Sequence, residues 1–267
     1  PDAKRLMPDV ADAAPPAMIA KAAELLRAAR RPVILAGRVS RSEAAWAARV
    51  ALAERLGAMV VTDLKVGAAF PTDHPLHAGA PGTIAPVAEA LDAIRAADVI
   101  LSLDWVDLAG TLAKQVGEHK ASVIQVTVDH QLHNGWSLDY QGLPPIDVLL
   151  ACEPDTAVAA LLDALGPGKA TLAARAASDF KPAGDKLNVD HVAVALRKAL
   201  GNRTVSLTHL PLSWDGRSWP FRHPLDYLGG DGGGGIGGGP GISVGAALAL
   251  KGSGRMAVAI CGDGDFL

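Results

Sequence analysis

The residues best suited to chemistry lie near the carboxyl end of the chain. Residues 229–241 are glycine except for Asp231, Ile236 and Pro240, and they run into a small-residue segment that reads as a helix. An apolar run at 256–261 follows, and then Gly262-Asp263-Gly264-Asp265. Glycine lets backbone amides approach a ligand closely. A carboxylate between glycines at the end of an apolar strand can hold a hard cation against a phosphate. By itself such a tripeptide is also an ordinary turn, because Asp and Gly favour turns for backbone reasons. Its place at the carboxyl end of a buried strand, where open α/β sheets bind ligands, favours the functional reading. The match to G-x-G-x-x-G at Gly232, Gly234 and Gly237 is nearly automatic in so glycine-rich a run. No strand stands directly before it, which argues against a dinucleotide fingerprint.

The elements that must position these residues alternate along the chain. Residues 1–17 read as a linker rich in Pro, Asp and Ala. Helices are predicted at 18–29, at 84–96 and at 154–165, and strands at 32–36, 58–62, 99–103, 122–128 and 146–151. Ser40 and Glu43 have capping-box spacing and open a further helix through Leu56, closed by Gly57. Strands apolar throughout, alternating with helices, imply a parallel sheet covered on both faces. The fold class is therefore α/β: a doubly wound parallel-sheet central domain over 18–166, a second linker at 167–187, and a partial second α/β domain over 188–267. In that second domain Asn188 caps a helix through Leu200. Strands follow at 204–208 and 256–261, with a helix near 242–250 between them.

Composition narrows the function classes. The chain has 267 residues, of which 49% are apolar and 20% charged, with a formal charge of −3. That suits a packed core and not a disordered chain. No cluster of Lys and Arg points to nucleic acid, and no apolar run is long enough for a bilayer-spanning helix. Two cysteines, Cys152 and Cys261, read as reduced core residues, which with the absence of a signal-like segment leads us to expect a cytoplasmic protein. The eight histidines show no metal-ligand spacing, so zinc is not expected. Trp136, Trp214, Trp219, His209 and His223 fall in two loops, where they either line a substrate pocket or anchor the loops to the core. Asp104 with Asp107, and Asp129 with His130, stand at strand ends and read as surface polarity.

The pairing of GGGGIGGGPGISVGAALAL with MAVAICGDGDFL resembles the thiamine-diphosphate enzymes of the acetolactate synthase and 2-oxo-acid decarboxylase superfamily. RPVILAG, GAMVVTD and HPLHAG resemble that family's central domain in order. The resemblance implies that Asp263 ligates Mg²⁺ and that Gly264 and Asp265 lie along the diphosphate, with backbone amides as donors. It implies that Ile236 wedges the bent cofactor, that the backbone of Gly234 faces its aminopyrimidine, and that Thr208 and His209 reach the diphosphate. The segment THLPLSWDGRSW departs from the family pattern at this last point.

The implied activity is cleavage or formation of a C–C bond on a small 2-oxo acid, with thiamine diphosphate and Mg²⁺ as cofactors. The complete protein is expected to be a homodimer or homotetramer. In relatives the central domain holds FAD or an adenine nucleotide near the position of Gly37-Arg38, or nothing; FAD is not expected here. The activating glutamate and a second metal ligand have no counterpart in the sequence. The chain is accordingly expected to be a fragment without activity of its own. Two alternatives are a non-catalytic scaffold that keeps the fold and an acyl-transfer relative that binds CoA or a nucleotide.

Overall fold

The computed structural model of the chain describes residues 13–83, 85–129, 142–168, 180–184, 186–214, 216–230 and 235–266. The first unit opens with α1 (Pro16–Ala28), whose proline stands in the first turn, where its missing N–H costs nothing. β1 (Pro32–Ala36) follows, then α2 (Glu43–Leu56) and β2 (Met59–Val61). Next come α3 (Ala88–Ala96) and β3 (Val99–Leu103). α4 (Leu108–Gly110) continues into a π-helical turn (Thr111–Val116), ahead of β4 (Ser122–Val126), β5 (Val148–Leu150) and α5 (Pro154–Leu165).

The five strands form one parallel sheet in the order β2-β1-β3-β4-β5. Side chains alternate between its faces. Ile34, Ala36, Leu101, Leu103, Ile124 and Val126 pack against α1, α2 and α5. Val33, Leu35, Ile100 and Val123 pack against α3, α4 and the π-turn. The doubly wound α/β arrangement is therefore present, and its topological switch point lies between β1 and β3, where the chain turns from one side of the sheet to the other.

Several boundaries differ from expectation for identifiable reasons. The N-cap of α2 is Ser42 and not Ser40: Ser42 Oγ accepts the amide of Ala45, while Ser40 Oγ accepts the amide of Ser42. Gly57 closes the helix in the left-handed region, at φ 62°. α3 starts at Ala88 and not at residue 84, since Pro86 biases the residue before it away from helix. β4 stops at Val126 because β3, its partner, ends at Leu103. β5 is short because only three of its residues find partners at the sheet edge. The helical stretch 108–116 was not expected; Asp107 starts it by accepting the Gly110 amide at 3.0 Å.

The second unit holds α6 (Val189–Leu200), β6 (Val205–His209), α7 (Gly238–Ala249), β7 (Met256–Ala259) and the single turn α8 (Asp263–Phe266). Asn188 caps α6, accepting the His191 amide at 3.1 Å. β6 and β7 pair in parallel, and α7 packs against both. α7 begins four residues before the expected 242, drawing Gly238, Gly239, Pro240 and Gly241 into its first turn. Pro240 is tolerated there because the first-turn amides have no intrahelical acceptor.

A third core joins the units. Trp46 and Leu64 of the first pack with Trp214, Trp219, Phe221 and Tyr227 of the second. The Tyr227 hydroxyl donates to Leu64 O at 2.8 Å, and the Ala68 amide donates to Tyr227 O at 2.9 Å. Among the described residues, then, Trp214 and Trp219 are buried in this core and anchor their loops against it. Trp136 and His130 lie outside the described residues.

Candidate functional site

β6, α7 and the turn after β7 converge on residues far apart in sequence. β6 ends at His209. The hydroxyl of Thr208 is turned inward, 3.1 Å from Ser243 Oγ on α7 and 3.3 Å from Val258 O on β7, so it ties the unit together. α7 starts after Gly237, which sits at φ 93°, a conformation that favours glycine. Ile236 stands just before it and is 83% exposed, free to meet a ligand. Gly234 lies outside the described residues.

Asp263 opens α8 and is exposed; its Oδ1 accepts the adjacent Gly264 amide at 2.9 Å. An exposed carboxylate with no cationic partner among the described residues is a hard oxygen donor of the kind Mg²⁺ takes. The glycines beside it leave room: a Cβ on Gly235, Gly241 or Gly262 would meet nothing within 4 Å. A Cβ on Gly264 would meet only Ile236 Cγ2, at 4.0 Å, so Ile236 and the Gly262–Asp265 turn stand side by side. These donors and this space fit Mg²⁺ and a diphosphate.

Asp265 behaves differently from expectation. Its own amide is engaged, donating to Gly262 O at 3.2 Å. Its side chain reaches α7 instead: Oδ1 accepts the Gly237 amide at 2.8 Å and that of Gly239 at 3.4 Å. Oδ2 lies 2.8 Å from His209 Nε2, close in distance although not aligned as a hydrogen bond. The Gly237 amide above all, then those of Gly239 and the neighbouring His209, hold the Asp265 carboxyl below its usual range. Cys261 Sγ lies within 4.8 Å of this carboxylate, and burial first, then Asp265, pushes the thiol up, so it stays protonated near neutrality.

One nitrogen, one sulfur and one oxygen of His209, Cys261 and Asp265 lie within 4.8 Å of one another. Ligand atoms around a tetrahedral zinc stand about 3.4 Å apart, given bonds near 2.1 Å. The imidazole and carboxylate are already closer than that, which favours a clasp of side chains over a metal cage.

At the switch point of the sheet, Asp104 is buried, which corrects the expectation of surface polarity. Its carboxylate accepts Thr127 Oγ1 at 2.7 Å and pairs with Arg38 Nε at 2.9 Å, while Arg38 also pairs with Asp129. Burial alone would lower Arg38, but Asp104 first and then Asp129 more than offset it, leaving the guanidinium firmly charged. Gly37 is forced by this packing: a Cβ there would stand 2.2 Å from Asp104 O. Beside it a cleft of about 300 Å³ is lined by Arg41, Lys65, Gly67 and Gly229, among others.

Residues 19–134 match the family described as thiamine pyrophosphate enzyme, central domain. The chain is 29% identical over 253 residues to the probable 2-ketoarginine decarboxylase of Pseudomonas aeruginosa, covering 92% of this chain and 43% of that protein. It is 40% identical over 119 residues to the sulfoacetaldehyde acetyltransferase of Alcaligenes xylosoxydans xylosoxydans, covering 43% of this chain and 19% of that protein. Among solved structures, benzoylformate decarboxylase from Polynucleobacter necessarius matches with a TM-score of 0.72 at 20% identity, over 97% of this chain and 50% of that one. The 4-hydroxybenzoylformate decarboxylase of Rhodococcus jostii RHA1 matches at 0.71 and 23%, over 98% and 49%. At these identities the structural likeness is one of fold. The chain spans less than half the length of these curated relatives and about half that of the solved ones.

Proposed function

We propose, from the match of residues 19–134 to the family described as thiamine pyrophosphate enzyme, central domain, that the chain is part of a thiamine-diphosphate- and Mg²⁺-dependent enzyme acting on 2-oxo acids. The observation that carries this reading is the meeting of Asp263, Gly264 and Ile236 at one end of the β6–β7 pair. When bound, thiamine diphosphate supplies the electron sink needed to break or form a C–C bond beside a carbonyl. Asp263 would hold the Mg²⁺, Gly264 would offer close backbone approach to the diphosphate, and exposed Ile236, stiff at χ1, would support the cofactor's shape. The names of the relatives support decarboxylation and acetyl transfer alike, so the class stays at lyase or transferase. A small 2-oxo acid as substrate and a homodimer or homotetramer as the assembly belong to the same proposal.

The basic cleft beside Arg41 and Lys65 supports a second reading, an acyl-transfer relative that carries CoA or an adenine nucleotide. Arg38 is already held by Asp104 and Asp129, so its charge is not free for a flavin or nucleotide phosphate.

Calorimetry on the full-length native polypeptide tests the main reading. Mg²⁺ with thiamine diphosphate should bind, and Asp263→Ala should weaken binding by at least about a hundredfold, as for loss of a metal ligand. Equal affinity in the variant would refute the assignment.

A further inference from the structure

A helix N-terminus leaves amides without partners, and a side-chain oxygen at the N-cap ordinarily satisfies one of them. The N-cap of α7 is Gly237, which has no side chain to offer. The glycines that open this end of the helix to a ligand thus deprive it of its own cap. Asp265, 28 residues downstream, supplies the missing acceptor: its Oδ1 takes the Gly237 amide, with Gly239 adjacent. A carboxylate at a helix N-terminus is also favoured by the helix dipole.

Two further side chains flank that carboxylate. His209 Nε2, at the end of β6, stands 2.8 Å from Oδ2, and Cys261 Sγ, just after β7, lies within 4.8 Å of the carboxylate. At Gly239, a Cβ would stand 2.2 Å from Asp265 Oδ2 and 2.9 Å from the His209 ring. Glycine at 239 is therefore what allows strand end, helix start and turn to close on one carboxylate.

We propose that Asp265, steadied by His209, is a positioning residue: it caps α7 from the Gly262–Asp265 turn and so sets where Ile236 stands relative to Asp263. The inference rests on the thiamine-diphosphate reading for its purpose, though the clasp itself can be tested without cofactor. Ile236 precedes the capped turn by one residue and Asp263 precedes the capping residue by two, so one bond network governs both.

The test has two arms. Amide hydrogen exchange in the 267-residue chain, read at Gly237 and Gly239, should be faster by on the order of 10- to 100-fold in Asp265→Ala, as for loss of a charge-assisted hydrogen bond. Asp265→Asn keeps an acceptor and should restore most of the protection, while Gly239→Ala should lose it with the carboxylate still present. In the full-length polypeptide, Asp265→Ala should weaken Mg²⁺–thiamine diphosphate binding about tenfold, with Asp265→Asn within about threefold of wild type. Unchanged exchange in Asp265→Ala overturns the clasp. Faster exchange with unchanged cofactor affinity overturns the positioning role. A wild-type protein that binds no cofactor overturns the functional reading and the cofactor role with it, whereas the exchange rates still decide whether the clasp exists.

Discussion

Asp63 shows how burial alone can make a residue sensitive to pH. It follows β2 and is buried, with Oδ1 accepting the amides of Lys65 at 3.1 Å and Val66 at 3.4 Å. Burial pushes its carboxyl up to about 6, against the opposing charge of Lys65 and those two amides. A carboxyl raised on folding favours the folded state while protonated, and that contribution is lost as pH rises from about 4 through about 6. At about two pH units it amounts to roughly 3 kcal/mol by linkage. Asp63→Asn keeps the acceptor and removes the charge, so its stability relative to wild type should rise across that window. Urea unfolding at pH 4, 5.5 and 7 measures this; parallel pH profiles would count against it. Asp63 was invisible in the sequence because nothing local announces burial. The turn at Asp263 was legible, because glycine on both sides and an apolar strand before it are local signals.

At the scale of elements, periodicity and punctuation carried most of the reading. β1, β3 and α5 fall at their expected bounds. Continuous apolar runs and a proline at a helix start leave few alternatives. Helix starts were harder to place, since a one-turn shift keeps the same face buried; α7 moved for that reason, α3 because of Pro86, and the cap of α2 moved from Ser40 to Ser42. The caps can be tested directly. Ser42→Ala should cost about 1 kcal/mol, with Ser40→Ala costing less. Gly57→Ala should cost a similar 1 kcal/mol, because alanine resists the left-handed conformation found there. Thermal unfolding of the three variants would settle the order. If Ser40→Ala were the more damaging serine change, the assigned cap would be wrong.

The whole molecule depends on contacts that bridge its two sheets. Phe221 stacks on Tyr227 with ring centroids 5.5 Å apart, and its backbone exchanges hydrogen bonds with Thr72. Removing this buried ring should cost about 3–5 kcal/mol, the usual range for Phe→Ala in a core. Since the third core is shared, Phe221→Ala should unfold the second unit ahead of the first, seen as two denaturant transitions. A single transition at unchanged midpoint would show that the units do not depend on this seam. Arg49 works similarly within the first unit. Its buried guanidinium pairs with Asp155 on α5 and donates to Ala69 O and Ser40 O, binding two helices and two loops through one side chain.

The sequence by itself determined the α/β class, most strands of the first sheet and the pairing of a glycine stretch with an aspartate turn. All of these follow from period, punctuation and local composition. Only the tertiary structure decided that Asp265 turns its side chain to α7, that His209 meets it, that Asp104 and Arg38 close on each other at the switch point, and that the loop aromatics are buried. Those outcomes depend on groups up to 163 residues apart arriving within a few ångströms, and such distances are set by how sheets and helices pack. No spacing along the chain encodes them.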